Sequence, residues 1–334
     1  MVDKRSKIRF GIVGTSNIAK IFLEAAYLLE QFEFVAIYSR DSERGKAFVN
    51  GLGNIRIYEC LEDLAAAKDI DAVYIASPTC CHASQSILLT ESGKHVLCEK
   101  PICTNLYEWS KMLQSSSENN VIVLEAMRPL FTPGYEVIQR NLEKIGQIRK
   151  VNFSYCQYSS RYDKFKNGIV ENAFKPELSN GALMDIGVYC VGVLVGLFGK
   201  PEHIFAHGYT LPHSIDAMGS LTAIYAGMQA DLVYSKITDS ELPCEIQGEK
   251  GTIYFRHISA PQEIRIKYRD SSEELLVENT NPNSMLHEVE VFLNMIHGSN
   301  APEEYNDITS LAMEVIDEAR KQIGIIYPAD SLPN

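Results

Sequence analysis

Two groups of residues in this chain have the types and spacing for proton chemistry on a small molecule. The first is Glu99-Lys100-Pro101, which follows the apolar run Val96-Leu97-Cys98. Such a run needs cover on both faces, as strands of a parallel sheet have. Pro101 cannot extend the ladder, so the strand stops and leaves Lys100 at a sheet's carboxyl edge. Open α/β sheets bind ligands at that edge. A lysine held there can serve as a fixed charge or as an acid and base, because burial shifts its pKa readily. The second group is Asp185 and Tyr189 in the stretch Asn180-Gly181-Ala182-Leu183-Met184-Asp185-Ile186-Gly187-Val188-Tyr189-Cys190. On a helix, residues at that spacing share a face, and Gly187 leaves room beside them.

Both groups need elements to hold them. Strand patterns at Ile8 to Val13, Phe34 to Ser39, Asp71 to Ala76, Lys94 to Cys98 and Val121 to Leu124 alternate with helical ones. The helical patterns are Ile18 to Glu30, Glu43 to Val49, Ala83 to Glu91 and Asn105 to Ser116. Alternation of this kind predicts a doubly wound parallel sheet with crossover helices. After Glu125 the pattern changes. A strand at Ile148 to Ser159 and a run of strands from His203 to Val277 predict a mostly antiparallel sheet, and helices at Met285 to Gly298 and Asp307 to Ile323 close the chain. A chain of 334 residues is too long for one ordinary core. The expected division is therefore 1–125 and 126–334.

The first strand runs into Gly11-Ile12-Val13-Gly14-Thr15-Ser16-Asn17-Ile18-Ala19, one residue from the G-x-G-x-x-A dinucleotide fingerprint. Gly14 makes the tight turn, and Ala19 lets the helix pack closely on the strand. Ser16 stands where a glycine would admit the pyrophosphate, and its hydroxyl could itself donate to phosphate. The start of the helix, with Asn17 and Ile18, supplies the remaining anion stabilisation. The second strand decides which nucleotide binds. Ser39 and Arg40 suit the 2′-phosphate of NADP, whereas Asp41 would suit the ribose hydroxyl of NAD if the strand ended one residue later. NADP is favoured, with NAD the alternative. The next strand ends in Ser77-Pro78-Thr79, at the same sheet edge, and His82 falls at a helix start, either as a cap or as a contact to the cofactor.

Composition excludes several classes. A formal net charge of -12 argues against a nucleic-acid partner. No apolar run reads as long enough to span a bilayer, and the basic first residues lead into a core strand rather than a signal peptide. Eight cysteines without a CxxC spacing read as free thiols of a cytoplasmic protein. No metal site is expected. His203 and His207 lie four residues apart along a strand, too far for one ion.

With the Gly14 fingerprint, Ser77-Pro78-x-x-x-His82, Gly93-Lys94-His95-x-x-Cys98-Glu99-Lys100-Pro101 and the Asn180–Cys190 stretch in order, the chain resembles the glucose-fructose oxidoreductase/inositol dehydrogenase (Gfo/Idh/MocA) family. Its second half, with Ala319-Arg320-Lys321-x-Ile323-Gly324, is most similar to dimeric dihydrodiol dehydrogenases and NADP-dependent xylose dehydrogenases. The resemblance implies a Rossmann domain followed by an α/β domain whose open sheet often forms a dimer face, and hence a homodimer or dimer of dimers. It implies hydride transfer at a hydroxyl-bearing carbon of a sugar, cyclitol or diol. Lys100 matches the lysine that contacts nicotinamide and substrate, beside Glu99 in the cofactor edge, and Tyr189 matches a His/Tyr position. Either Tyr189 takes the hydroxyl proton, aided by the Lys100 charge, or Lys100 does so itself; Asp185 orients substrate.

Thr79, Asn180 and Ser16 depart from the family pattern without removing a catalytic group. Arg128, just after the sixth strand, is a candidate contact to cofactor or substrate. Arg161, Tyr162 and Lys164 either bind a polyol or acidic substrate or form an ordinary exposed loop. The competing reading is a nucleotide-sensing regulator of the same fold without turnover, and intact Lys100, Asp185 and Tyr189 weigh against it.

Overall fold

The computed structural model describes residues 6–277 and 283–331. Its first part runs β1 (Ile8–Val13), α1 (Asn17–Ala26), β2 (Phe32–Tyr38), α2 (Ser42–Val49), β3 (Arg56–Tyr58), α3 (Leu61–Ala66), β4 (Ala72–Ile75), α4 (His82–Glu91), β5 (His95–Glu99), α5 (Leu106–Glu118) and β6 (Val123–Ala126). The six strands are all parallel, in the order β3-β2-β1-β4-β5-β6. This is the Rossmann order, with its switch point between β1 and β4. Burial explains the choice of a parallel sheet. Every residue of β4 and of β6 is buried, which only a sheet covered on both faces allows. The short pair β3 and α3 carries no apolar run long enough to stand out in the sequence, and it was absent from the expected elements.

The second part begins with α6 (Pro133–Asn141), β7 (Ile148–Cys156), α7 (Tyr162–Lys166) and α8 (Val188–Phe198). Then follow β8 (His203–Leu211), β9 (Ile215–Tyr225), β10 (Met228–Ser235), β11 (Cys244–Gly248), β12 (Gly251–Arg256), β13 (Gln262–Tyr268) and β14 (Glu273–Val277). The eight strands form one sheet, β14-β13-β12-β11-β7-β10-β9-β8. Only β7 and β10 pair in parallel; every other neighbour is antiparallel. Two helices complete the chain, α9 (Met285–Ile296) and α10 (Glu303–Ile323).

The described residues form two compact units: those up to 126 with 285–306, and those from 127 to 284 with those from 307 onward. The first boundary lies one residue from the expected division at 125/126. The return of α9 to the first unit differs from the expectation. Its apolar face packs against that unit, where Phe292 meets Phe10 edge-on at 6.1 Å, and no reading of consecutive residues reveals such a return.

One further expectation is corrected. The helical stretch Pro176–Phe198 is long and apolar enough to cross a membrane by length and composition. In the fold it is mostly buried, and the first eight residues of α8 are buried without a polar face. Such all-round apolarity also marks a core helix, here one packed beside β7 and β10.

Candidate active site

The residues with chemistry fall in both units, and each set is held by its own. In the first unit, Gly14 ends the β1 turn at φ +105°, a conformation that favours glycine. A Cβ there would lie 2.8 Å from the Ala76 carbonyl oxygen. The turn therefore delivers the chain to the start of α1 at the sheet's switch point. Ser16 is the N-cap of α1, yet its side chain makes no cap hydrogen bond to the helix. Exposed Ser16 and Asn17 thus stand at a helix start whose N–H groups can meet an anion. These features fit a dinucleotide pyrophosphate.

At the end of β2, Ser39 is buried and its hydroxyl donates to the Asp41 carbonyl at 2.7 Å. Asp41 caps α2, its carboxylate accepting from the Arg44 N–H at 3.1 Å. Asp41 is thereby committed to the helix, and Arg40 beside it is exposed. Both side chains reach solvent, but only the acid is tied to the helix start.

Lys100 is held by its backbone. β5 ends at Glu99, a buried carboxylate that accepts from the Tyr74 hydroxyl at 2.5 Å and from the Lys100 N–H at 3.2 Å. Tyr74 is itself stacked on Phe22, with ring centroids 3.7 Å apart. The Lys100–Pro101 peptide is cis. Beyond it, the Ile102 N–H donates to the buried Glu125 carboxylate at 2.9 Å. Two buried acids therefore fix the turn on either side of the lysine. Neither Glu125 nor Tyr74 was anticipated; a lone Glu within the apolar β6 pattern was the available signal.

His82 and the Ser77-Pro78-Thr79 turn lie at the same edge. Ser77 donates its hydroxyl to Gln85 at 2.6 Å, and Thr79 is buried in a short 3₁₀ turn. His82 starts α4 but is 1 % exposed. Its Nδ1 lies 2.9 Å from the Pro101 carbonyl and its Nε2 2.9 Å from the Ser77 carbonyl. Burial pushes its pKa down. The sequence left a cap or a cofactor contact open; in the structure the ring lies between the Ser77 turn and the Lys100-Pro101 turn.

In the second unit, Asp185 and Tyr189 lie on one helical stretch, but Leu183–Gly187 is π-helical and α8 follows from Val188. A π-turn is rare and widens the helix, often at functional sites. The regular α-helix implied by the spacing is thus modified. Gly187 packs over Tyr234, where a Cβ would sit 3.0 Å from the ring. Tyr189 is 4 % exposed and meets Tyr155 at 5.7 Å between ring centroids. Asp185 is half-buried and forms an ion pair with Lys236 at 2.8 Å. Arg128 opens a 3₁₀ turn directly after β6.

The three candidate substrate side chains are engaged with neighbours. Arg161 and Lys164 both pair with Glu171, at 3.5 and 2.5 Å, and Tyr162 packs on Phe165 and Phe174. Lys236 was missed, although a signal existed. Ala230, Leu232 and Tyr234 are buried alternate residues of β10, and Lys236 falls next on that inward face. Among the described residues no cluster of three or more His, Cys, Asp or Glu could hold a metal ion.

A Rossmann sheet with a tight glycine turn before its first helix and a lysine held at its edge has the form of a nucleotide-binding α/β protein. Residues 8–127 match the oxidoreductase family with an NAD-binding Rossmann fold, and residues 140–254 match the GFO/IDH/MocA C-terminal domain. The scyllo-inositol 2-dehydrogenase (NADP(+)) of Bacillus subtilis is 44 % identical over 97 % of this chain and 99 % of its own length. The trans-1,2-dihydrobenzene-1,2-diol dehydrogenase of Danio rerio is 28 % identical over 97 % and 99 %. Among solved structures, the 3-ketoreductase KijD10 of Actinomadura kijaniata in complex with NADP and TDP-benzene superposes with a TM-score of 0.85. It is 22 % identical over 96 % of this chain and 99 % of that one, a likeness of fold. The chain belongs to the Gfo/Idh/MocA oxidoreductase family.

Proposed function

We propose that this protein is an NADP-dependent dehydrogenase of a cyclitol or related diol, exchanging a hydride with a carbon that bears a hydroxyl. The observation that carries the reading is the 44 % identity along nearly the whole of both chains with an NADP-linked inositol dehydrogenase. Exposed Arg40 beside a helix-capping Asp41 supports the phosphorylated cofactor over NAD.

The cofactor's nicotinamide would supply the hydride acceptor or donor. Gly14, Ser16, Asn17 and Ile18 would receive its pyrophosphate, Ser39 and Arg40 its adenosine end, and Ser77, Pro78, Thr79 and Glu99 would line the edge towards the nicotinamide. In this reading Lys100 holds a positive charge over the reacting hydroxyl, which favours its deprotonation. Tyr189, as its phenolate, would take the hydroxyl proton and release it to solvent, and Asp185 would accept a hydrogen bond from a neighbouring hydroxyl of the substrate. A dimer formed through the second unit's sheet is part of the same proposal. The outer face of that sheet leaves Phe205, Tyr209 and Val233 exposed. Eight free cysteines fit a cytoplasmic setting.

The test is cofactor reduction with scyllo-inositol, other inositols, sugars and trans-diols, run with NADP and NAD in parallel. Turnover of a polyol with NADP is expected. Lys100→Met should lower kcat by at least about a hundredfold while NADPH still binds, the range for a positioned acid–base group. A chain that binds neither NADPH nor NADH would overturn the reading at its base.

A further inference from the structure

Lys236 carries a cation into the interior of the second unit. It is 3 % exposed, directly after β10. A buried ammonium is costly unless its donors find partners. Here it donates to the Asp185 carboxylate at 2.8 Å and to the Ala173 carbonyl at 2.8 Å, and lies 5.0 Å from the centroid of the Phe174 ring. Its backbone joins two further segments. The Lys236 N–H donates to the Ala217 carbonyl at 2.9 Å, and its carbonyl accepts from the Ser159 N–H at 2.8 Å.

These contacts have a geometric consequence. Ser159 and Ala173 bracket the segment that carries Arg161, Tyr162 and Lys164. One residue therefore grips both ends of that segment and, with the same ammonium, the Asp185 carboxylate on the π-turn. Phe174 anchors the far end in a cluster with Leu211, Ile215 and Ala217, and Tyr162 and Phe165 pack against that cluster. Buried Asp216, on β9, is a second carboxylate within the electrostatic reach of Lys236.

We propose that Lys236 is a positioning residue of the oxidoreductase: it sets the Asp185 carboxylate and latches the 159–173 segment to it, so that substrate fit depends on a side chain that does not touch substrate. The proposal rests on the reading that Asp185 orients substrate. A structural lysine alone would lower stability when removed but would act independently of Asp185. A positioning lysine acts through Asp185, and its effect vanishes with that carboxylate.

A double-mutant cycle separates the two. Lys236→Met, Asp185→Ala and the pair are compared for kcat and KM on the polyol that the wild type oxidises, with NADPH binding as a control for the first unit. Lys236→Met is expected to lower kcat/KM about tenfold or more, and by less than about threefold once Asp185 is Ala, the coupling of contacting residues. Lys236→Arg, which keeps charge and donors, is expected to restore part of the loss. Equal losses in both backgrounds overturn the proposal. Hydrogen exchange supplies a readout that needs no turnover. Amides of residues 159–173 should exchange faster in both single variants, while the first unit stays protected. If Asp185→Ala leaves that segment as protected as in the wild type, the latch does not exist. A wild type that turns over no polyol would sink the functional reading alone, and the exchange experiment would still decide the latch.

Discussion

Asp216→Asn should gain stability relative to the wild type as pH rises towards neutrality, and the reason is local. Asp216 is 1 % exposed on β9, and its Oδ2 accepts from the Leu183 N–H at 2.6 Å at the start of the π-turn. Gly181 allows this approach, since a Cβ there would lie 2.9 Å from the Asp216 Cβ. Burial outweighs the backbone hydrogen bonds and the Lys236 charge, and pushes the carboxyl from 3.8 up to about 6. A folded-state pKa above the unfolded one means that the native state keeps a proton the unfolded chain has released. The contribution to stability is therefore complete below the ordinary carboxyl value and is lost as pH rises through about 6. Two pKa units correspond to about 3 kcal/mol. Asparagine keeps an acceptor for Leu183 and never ionises. Its stability relative to the wild type should therefore rise by about 2–3 kcal/mol between about pH 4 and about pH 7.5. Urea unfolding followed by circular dichroism measures this difference. The fluorescence of Trp109, buried in the first unit, reports that unit separately. Other titrating groups cancel in the comparison. A difference between the two proteins that does not change with pH would refute the reasoning.

Further outcomes follow from the first unit. Gly14→Ala should destabilise that unit by about 1–3 kcal/mol, the range for strained backbone, and weaken NADPH binding; unfolding and ligand titration read the two effects. Arg40→Ala should weaken NADPH binding by about tenfold or more, as expected for a hydrogen bond to a charged group, and should leave NADH binding nearly unchanged. Tyr74→Phe removes the hydroxyl that donates to Glu99. It should cost the first unit about 1–3 kcal/mol and lower kcat with little change in NADPH affinity, because Glu99 supports the Lys100 backbone.

Much of the first unit was legible in the sequence because its signals are local. A buried strand, a glycine turn and a helix start follow one another within about a dozen residues, and β1 falls on Ile8–Val13 as expected. Pro101 placed Lys100 at a sheet edge for the same reason: proline ends a ladder by its own chemistry. Asp185 and Tyr189 were visible from spacing and family likeness, whereas the π-turn that carries them was not. At the start of that turn the Leu183 N–H donates to Asp216 of β9, a contact across 33 positions of sequence.

The remaining features required partners brought from a distance. Helix α9 could be read as a helix, but its place in the first unit depends on α1 and on Phe10. His82 was ambiguous at its helix start, and the carbonyl of Pro101 that faces its ring comes from nineteen positions away. Arg161 and Lys164 looked available because an exposed loop hides its own ion pairs, and Glu171 engages both. Composition and periodicity determined that this chain would build a parallel nucleotide-binding sheet and a second, mostly antiparallel one. Only tertiary structure decided which buried charges would meet, since a lysine and an aspartate fifty-one positions apart, Lys236 and Asp185, can pair only after the sheet and the π-turn have brought them together.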